Sequence, residues 1–94
     1  MKVYLTAIIQ SKPGYTGDVL ALLQNMVAHS RNEPGCLQYD LHRDNADENT
    51  FVFYEIWESE AILEQHNAQP YIADFIAAAD KLAKAPIVYR MSLL

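Results

Sequence analysis

Apolar residues at a period of two mark the first element of this chain. Val3, Leu5, Ala7 and Ile9 fall on one side and Tyr4, Thr6 and Ile8 on the other, which predicts a strand over Lys2–Gln10. Ser11-Lys12-Pro13-Gly14 breaks it. From about Tyr15 to Asn32 the spacing turns helical: Val19, Leu22, Leu23, Met26 and Val27 form a stripe, with Asp18, Gln24 and Arg31 off it. Glu33-Pro34-Gly35 stops that helix, because proline disfavours a helical residue before it. Cys36–Arg43 and Thr50–Glu58 read as two further strands, joined by the polar hairpin connection Asp44–Asn49. Ser59 is placed to cap a short helix that carries Glu60 and Glu64 near its start. After a break over Asn67–Gln69, Pro70 suits the first position of another helix, whose buried stripe is Tyr71, Ile72, Phe75, Ile76, Ala79 and Leu82. Pro86 ends it, and Ile87–Leu93 is a last strand.

The order is β-α-β-β-α-β with the second helix in two pieces. It predicts an α+β fold of ferredoxin-like arrangement, an antiparallel sheet with helices on one face, in a single domain over residues 1–94 with its core at about 3–92. Both faces of the strands are apolar. In the third strand Val52, Tyr54 and Ile56 oppose Phe51, Phe53 and Trp57, and in the fourth Ile87, Tyr89, Met91 and Leu93 oppose Val88 and Arg90. Two helices cover one sheet face only, and soluble monomers avoid large apolar patches. The expectation is a homodimer packed sheet to sheet; the alternative is that some of these aromatic residues sit at strand edges.

Composition sets limits on function. At 94 residues the chain holds one core, and 51% hydrophobic with 20% charged residues is ordinary for a globular protein. A net charge of −5 argues against nucleic acid and anionic membrane surfaces as partners. No apolar stretch is long enough to span a bilayer, and strand-like alternation begins at Lys2 where a leader would stand. The single cysteine, Cys36, allows no internal disulfide, and a cytoplasmic location is expected.

The candidate chemistry gathers on the third strand and after it. Glu55 interrupts a run of aromatic and β-branched residues that ends in the only tryptophan, Trp57, and His66 follows nine positions later. If Phe51, Phe53, Glu55 and Trp57 face the helices, the acid and the indole lie under the helix that carries His66. An imidazole there can act as a base near neutral pH. Glu55 can orient it, or serve as the base itself with its acidity weakened by burial. Trp57, Phe51 and Phe53 can wall a flat substrate, and Tyr39 and Tyr71 can add hydroxyl donors. Each residue also has a plain structural reading: a helix-end histidine, a buried acid with a partner, and aromatic core. His29 and His42 read as surface residues, and Cys36 as a structural thiol. Arg90 is placed for an ion pair with Glu55 or Glu58. Three histidines without paired spacing make no metal site, and three glycines make no phosphate-cradling loop.

The segments Lys12-Pro13-Gly14, Glu33-Pro34-Gly35-Cys36-Leu37-Gln38-Tyr39 and Phe53-Tyr54-Glu55-Ile56-Trp57-Glu58-Ser59-Glu60-Ala61, followed by His66, resemble the antibiotic biosynthesis monooxygenase domain. The resemblance covers the chain from about Val3 to Ser92 and is more specific for the domain than for one reaction. It implies a dimer whose two sheets close into an α+β barrel. It also implies one of several activities: oxidation of quinols or polycyclic phenols without metal or flavin, haem degradation, or isomerisation of small phosphorylated sugars. The haem-degrading members use an asparagine on the first strand, and Lys2–Gln10 has none. The expectation is therefore a cofactor-independent monooxygenase acting on a quinol or phenolic aromatic, with His66 and Glu55 catalytic and Trp57, Phe51, Phe53, Tyr39 and Tyr71 binding substrate. No cofactor or metal is expected. A non-oxidative isomerase of a small metabolite and a non-catalytic dimeric module for a small hydrophobic ligand are the alternatives.

Overall fold

The computed structural model describes residues 1–94. Strands β1 (Val3–Gln10), β2 (Cys36–Arg43), β3 (Thr50–Trp57) and β4 (Ile87–Met91) form one sheet in the order β2-β3-β1-β4, with every neighbouring pair antiparallel. Helices α1 (Thr16–Ser30), α2 (Glu60–Asn67) and α3 (Pro70–Ala77) accompany it, and one turn of 3₁₀ helix, Ala79–Lys81, follows α3. This is the α+β, ferredoxin-like arrangement that the element order predicts. Within one chain the sheet is open, with β2 and β4 at its edges.

The two-residue period decides which side chains form the core. Val3, Leu5, Ala7 and Ile9 of β1 and Phe51, Phe53 and Trp57 of β3 are buried, with Glu55 among them, while alternate residues are half-exposed. Against them pack Val19, Leu23 and Met26 of α1, Leu63 of α2 and Ile72 of α3. Full burial of side chains such as Trp57, Phe53 and Leu63 stabilises the fold by roughly 1.5–3 kcal/mol each.

Local signals set most of the boundaries. The Ser59 hydroxyl accepts from the Ile62 amide at 3.2 Å and so caps α2. Pro70 stands at the first turn of α3, where it sacrifices no helical hydrogen bond. Gly35 is required twice. Its φ is +83°, and a Cβ there would lie 2.7 Å from Ile62 Cγ2. The turn after α1 is thereby pressed against α2, with the Glu58 amide donating to the Gly35 carbonyl at 3.0 Å.

Four expectations are corrected. β4 stops at Met91, and Leu93 lies beyond it, exposed. α3 ends at Ala77, so Ala79 falls in the 3₁₀ turn, and Leu82 beyond it is buried beside Ser11 through a β-bridge. Ile76, expected in the buried stripe, is 63% exposed, at the rim of the space between α3 and the sheet. Arg90 binds neither Glu55 nor Glu58. Its Nη1 reaches Glu60 and Glu64 of α2, each at 3.0 Å.

Candidate active site

Register builds the floor of a cleft between sheet and helices. Tyr39 on β2 lies opposite Glu55 on β3, and Glu55 opposite Leu5 on β1; one pair along, Phe53 lies opposite Ala7, and Ala7 opposite Val88 on β4. The side of the row at Ala7 is low because alanine carries a single carbon. Ile72, Phe75 and Ile76 of α3, together with His66 and Asn67 at the end of α2, face this floor, and Met26 and Pro86 complete the lining. The cleft, open on one side, has a volume of about 190 Å³. A cavity of about 150 Å³ holds benzene, so this one admits a ring of that size with substituents. Its mouth is apolar, with Ile76 63% and Val88 51% exposed.

Besides Tyr39, an acid and an imidazole stand in this largely apolar lining. Glu55 is buried on the inward face of β3, and its Oε1 accepts from Trp57 Nε1 at 2.8 Å. Burial pushes the Glu55 carboxyl up to about 7; the Trp57 hydrogen bond opposes the rise and the Glu33 charge adds to it. His66 is buried in the last turn of α2, its ring 4.3 Å from Trp57 and 5.6 Å from Tyr39. His66 Nδ1 lies 2.7 Å from Glu33 Oε2. The same oxygen accepts from the Tyr71 hydroxyl. The carboxylate on His66 is thus Glu33, from the turn after α1, whereas Glu55 is bound to the indole. Glu33 was not legible in the sequence, since it lies 33 positions from His66.

The other expected site residues divide. Phe53 and Tyr39 line the cleft with Glu55 and His66. Burial first, then the Glu55 charge, raises the Tyr39 hydroxyl above the ordinary tyrosine range, so it stands in the cleft as a neutral phenol. Trp57 presents no surface to the cleft; it is fully buried and joins Glu55 to His66 from behind. Tyr71 reaches Glu33 and stacks on His29 at 5.0 Å. Phe51 lies on the far side of the sheet's inner face, under the Arg43 guanidinium at 5.1 Å, and is no part of the cleft. The Cys36 thiol is pushed up to about 11, by burial and then by the Glu33 and Glu55 charges, and stays protonated at neutral pH. No three His, Cys, Asp or Glu side chains converge in a way that could hold a metal ion. No helix is long and apolar enough to cross a membrane.

The family model described as antibiotic biosynthesis monooxygenase matches residues 3–78. "Putative monooxygenase YcnE" of Bacillus subtilis is 39% identical over 85 residues, covering 90% of each chain. "Uncharacterized protein sll1783" of Synechocystis is 35% identical over 78 residues, which is 83% of this chain and 53% of that protein, so the chain spans about half the length of that relative. The crystal structure of PA3566 from Pseudomonas aeruginosa superposes with a TM-score of 0.93 at 33% identity, covering 99% of this chain and 94% of that one.

Proposed function

Because this chain belongs to the antibiotic biosynthesis monooxygenase family, we propose that it oxidises a small quinol or phenolic aromatic with dioxygen, the substrate itself supplying the electrons. The observation that carries the reading is a largely apolar cleft that holds, besides Tyr39 and Asn67, an imidazole and a carboxyl that titrates near neutrality. A quinol lies with its ring on Phe53 and Ala7 and one hydroxyl toward His66. The imidazole takes that proton, which makes the ring electron-rich enough to reduce dioxygen. A carbon–oxygen bond forms to the ring, and loss of one water leaves a hydroxylated quinone. Glu55, divided between its two forms near pH 7, exchanges a hydrogen bond with the second oxygen. The apolar walls keep bulk water from the anion. An isomerase for a phosphorylated sugar has less support, since Arg90 is engaged with Glu60 and Glu64 and Arg43 with Phe51, which leaves the cleft without a cationic clamp.

The test is oxygen uptake by metal-stripped protein with a panel of quinols and phenols. The expected outcome is uptake above spontaneous oxidation that His66→Ala lowers by about a hundredfold or more. Tight binding of the same compounds without uptake, unchanged in His66→Ala, would instead favour a non-catalytic ligand-binding module.

A further inference from the structure

We propose that Glu33 is the positioning residue of this site: it fixes the tautomer of His66 so that Nε2 presents a lone pair to the cleft. The inference rests on the reading of His66 as the base. Its geometry stands apart from that reading.

A carboxylate accepts hydrogen bonds and donates none. With Nδ1 at 2.7 Å from Glu33 Oε2, the proton of a neutral imidazole must sit on Nδ1, and Nε2 is left unprotonated. Nδ1 makes the only hydrogen bond of the ring within the chain. The pair is removed from water, the His66 and Glu33 side chains being 4% and 13% exposed. Screening is therefore weak and the hydrogen bond is charge-assisted.

Glu33 is itself held. Tyr71 donates to the oxygen that His66 uses, and the Tyr71 ring is stacked between this contact and His29, at 5.0 Å and 17° to the imidazole of His29. Burial and then the Glu33 hydrogen bond raise the Tyr71 hydroxyl above the ordinary tyrosine range, so it remains a donor. On the backbone side the Cys36 amide donates to the Glu33 carbonyl at 3.2 Å, which closes the turn. His66 is bracketed by Trp57 on its ring face and Glu33 at its edge, and cannot turn over without breaking one contact. The other acid does not compete for the role, because Glu55 is bonded to Trp57 Nε1. The two carboxylates thus divide the work: Glu33 orients the base, and Glu55 faces the substrate.

The deciding measurement needs no substrate. Long-range proton–nitrogen correlation on the ¹⁵N-labelled protein, at about pH 9 and above the usual imidazole range, reads which ring nitrogen carries the proton. Wild-type His66 is expected as the Nδ1–H form and Glu33→Ala as the Nε2–H form. Glu33→Gln, whose amide oxygen still accepts, should keep the wild-type tautomer. With a substrate found by oxygen uptake, Glu33→Ala should lower kcat about a hundredfold and leave KM within about twofold, as for loss of an interaction made mainly in the transition state. Glu33→Gln should recover most of that loss. If Glu33→Ala does not fold, Glu33→Leu fills the space without an acceptor and reads the same shift. An Nε2–H tautomer in the wild type, or a folded Glu33→Ala with unchanged tautomer or unchanged kcat, overturns the proposal. If no substrate is oxidised, the oxidative reading fails, while the tautomers still decide the role of Glu33.

Discussion

A carboxyl in the middle of an aromatic strand is costly to bury in its charged form, and its energetics can be read as a dependence on pH. Glu55 is 4% exposed and its proton is held up to about pH 7, against an ordinary value of 4.5. The native state therefore binds the Glu55 proton more tightly than the unfolded chain does. The stability due to this protonated group is complete below about pH 4.5 and is lost as pH rises to about 7. The loss is on the order of 3 kcal/mol. Glu55→Gln keeps an acceptor for Trp57 and removes the charge. Its unfolding free energy relative to wild type, measured in urea from about pH 4 to pH 8, should rise by about 3 kcal/mol across that range. Parallel curves would mean that the buried carboxyl is solvated by a route the cleft does not show. Glu55, Trp57 and His66 were legible because each is chemically out of place in its segment. Glu33 was not: an acid beside a proline at a helix end reads as a polar turn, and its purpose appears only when the chain brings His66 to it. Phe51, expected in the substrate wall, does not line this cleft: alternation tells which face a side chain takes and nothing of how far along the strand the cleft extends.

The elements were legible where a local rule governs them. Strand alternation, the Ser59 cap and Pro70 at a helix start all depend on neighbours within a few residues, and the structure agrees with each. The ends of α3 and β4 depend on tertiary packing. α3 stops after eight residues, at Ala77, so that Leu82 can return to the sheet beside Ser11, and no periodicity in the sequence announces that. The turn between α1 and β2 shows how an element boundary serves the site. Glu33, Pro34 and Gly35 set the distance from α1 to α2, and the carboxylate projects from that turn to His66. Gly35→Ala places a methyl against the Ile62 side chain at a backbone angle that suits only glycine. It should destabilise the fold by about 3 kcal/mol, from overpacking together with backbone strain. A shift in the urea midpoint without a change in slope would check the magnitude. A neutral substitution would show that α2 can recede from the turn.

At the scale of the molecule, the face of the sheet away from the helices decides the assembly. Tyr4 and Ile8 of β1, Val52, Tyr54 and Ile56 of β3, and Ile87, Tyr89 and Met91 of β4 share it, and no element of the chain covers it. Four strands spaced by about 4.8 Å, of about eight residues at 3.4 Å each, make a face of roughly 500 Å². Two such faces together reach roughly 1,000 Å², the lower bound of a specific interface. We propose that a second copy of the chain covers it, which accords with the sheet-to-sheet dimer expected from the two apolar strand faces. The polar pattern sets where the partner sits. The outward residues of β2 are Gln38, Asp40 and His42, with Gln38 bonded to Asp40 at 2.7 Å and Arg31 to Asp40 at 3.1 Å. A partner centred on β2 would have to desolvate these groups, whereas one centred on β1 and β4 meets aliphatic and aromatic side chains around the hydroxyl of Thr6. Ile8 lies on that region, opposite Val52 on one side and Ile87, the first residue of β4, on the other. Ile8→Lys puts a charge within the interface and leaves the helix-side core intact, so sedimentation should show the mass fall to that of one chain, with helical content unchanged. His42→Lys, at the polar edge, should leave the dimer whole. Dissociation by His42→Lys and not by Ile8→Lys would place the interface on β2, and a wild-type protein of single-chain mass would remove the second copy altogether.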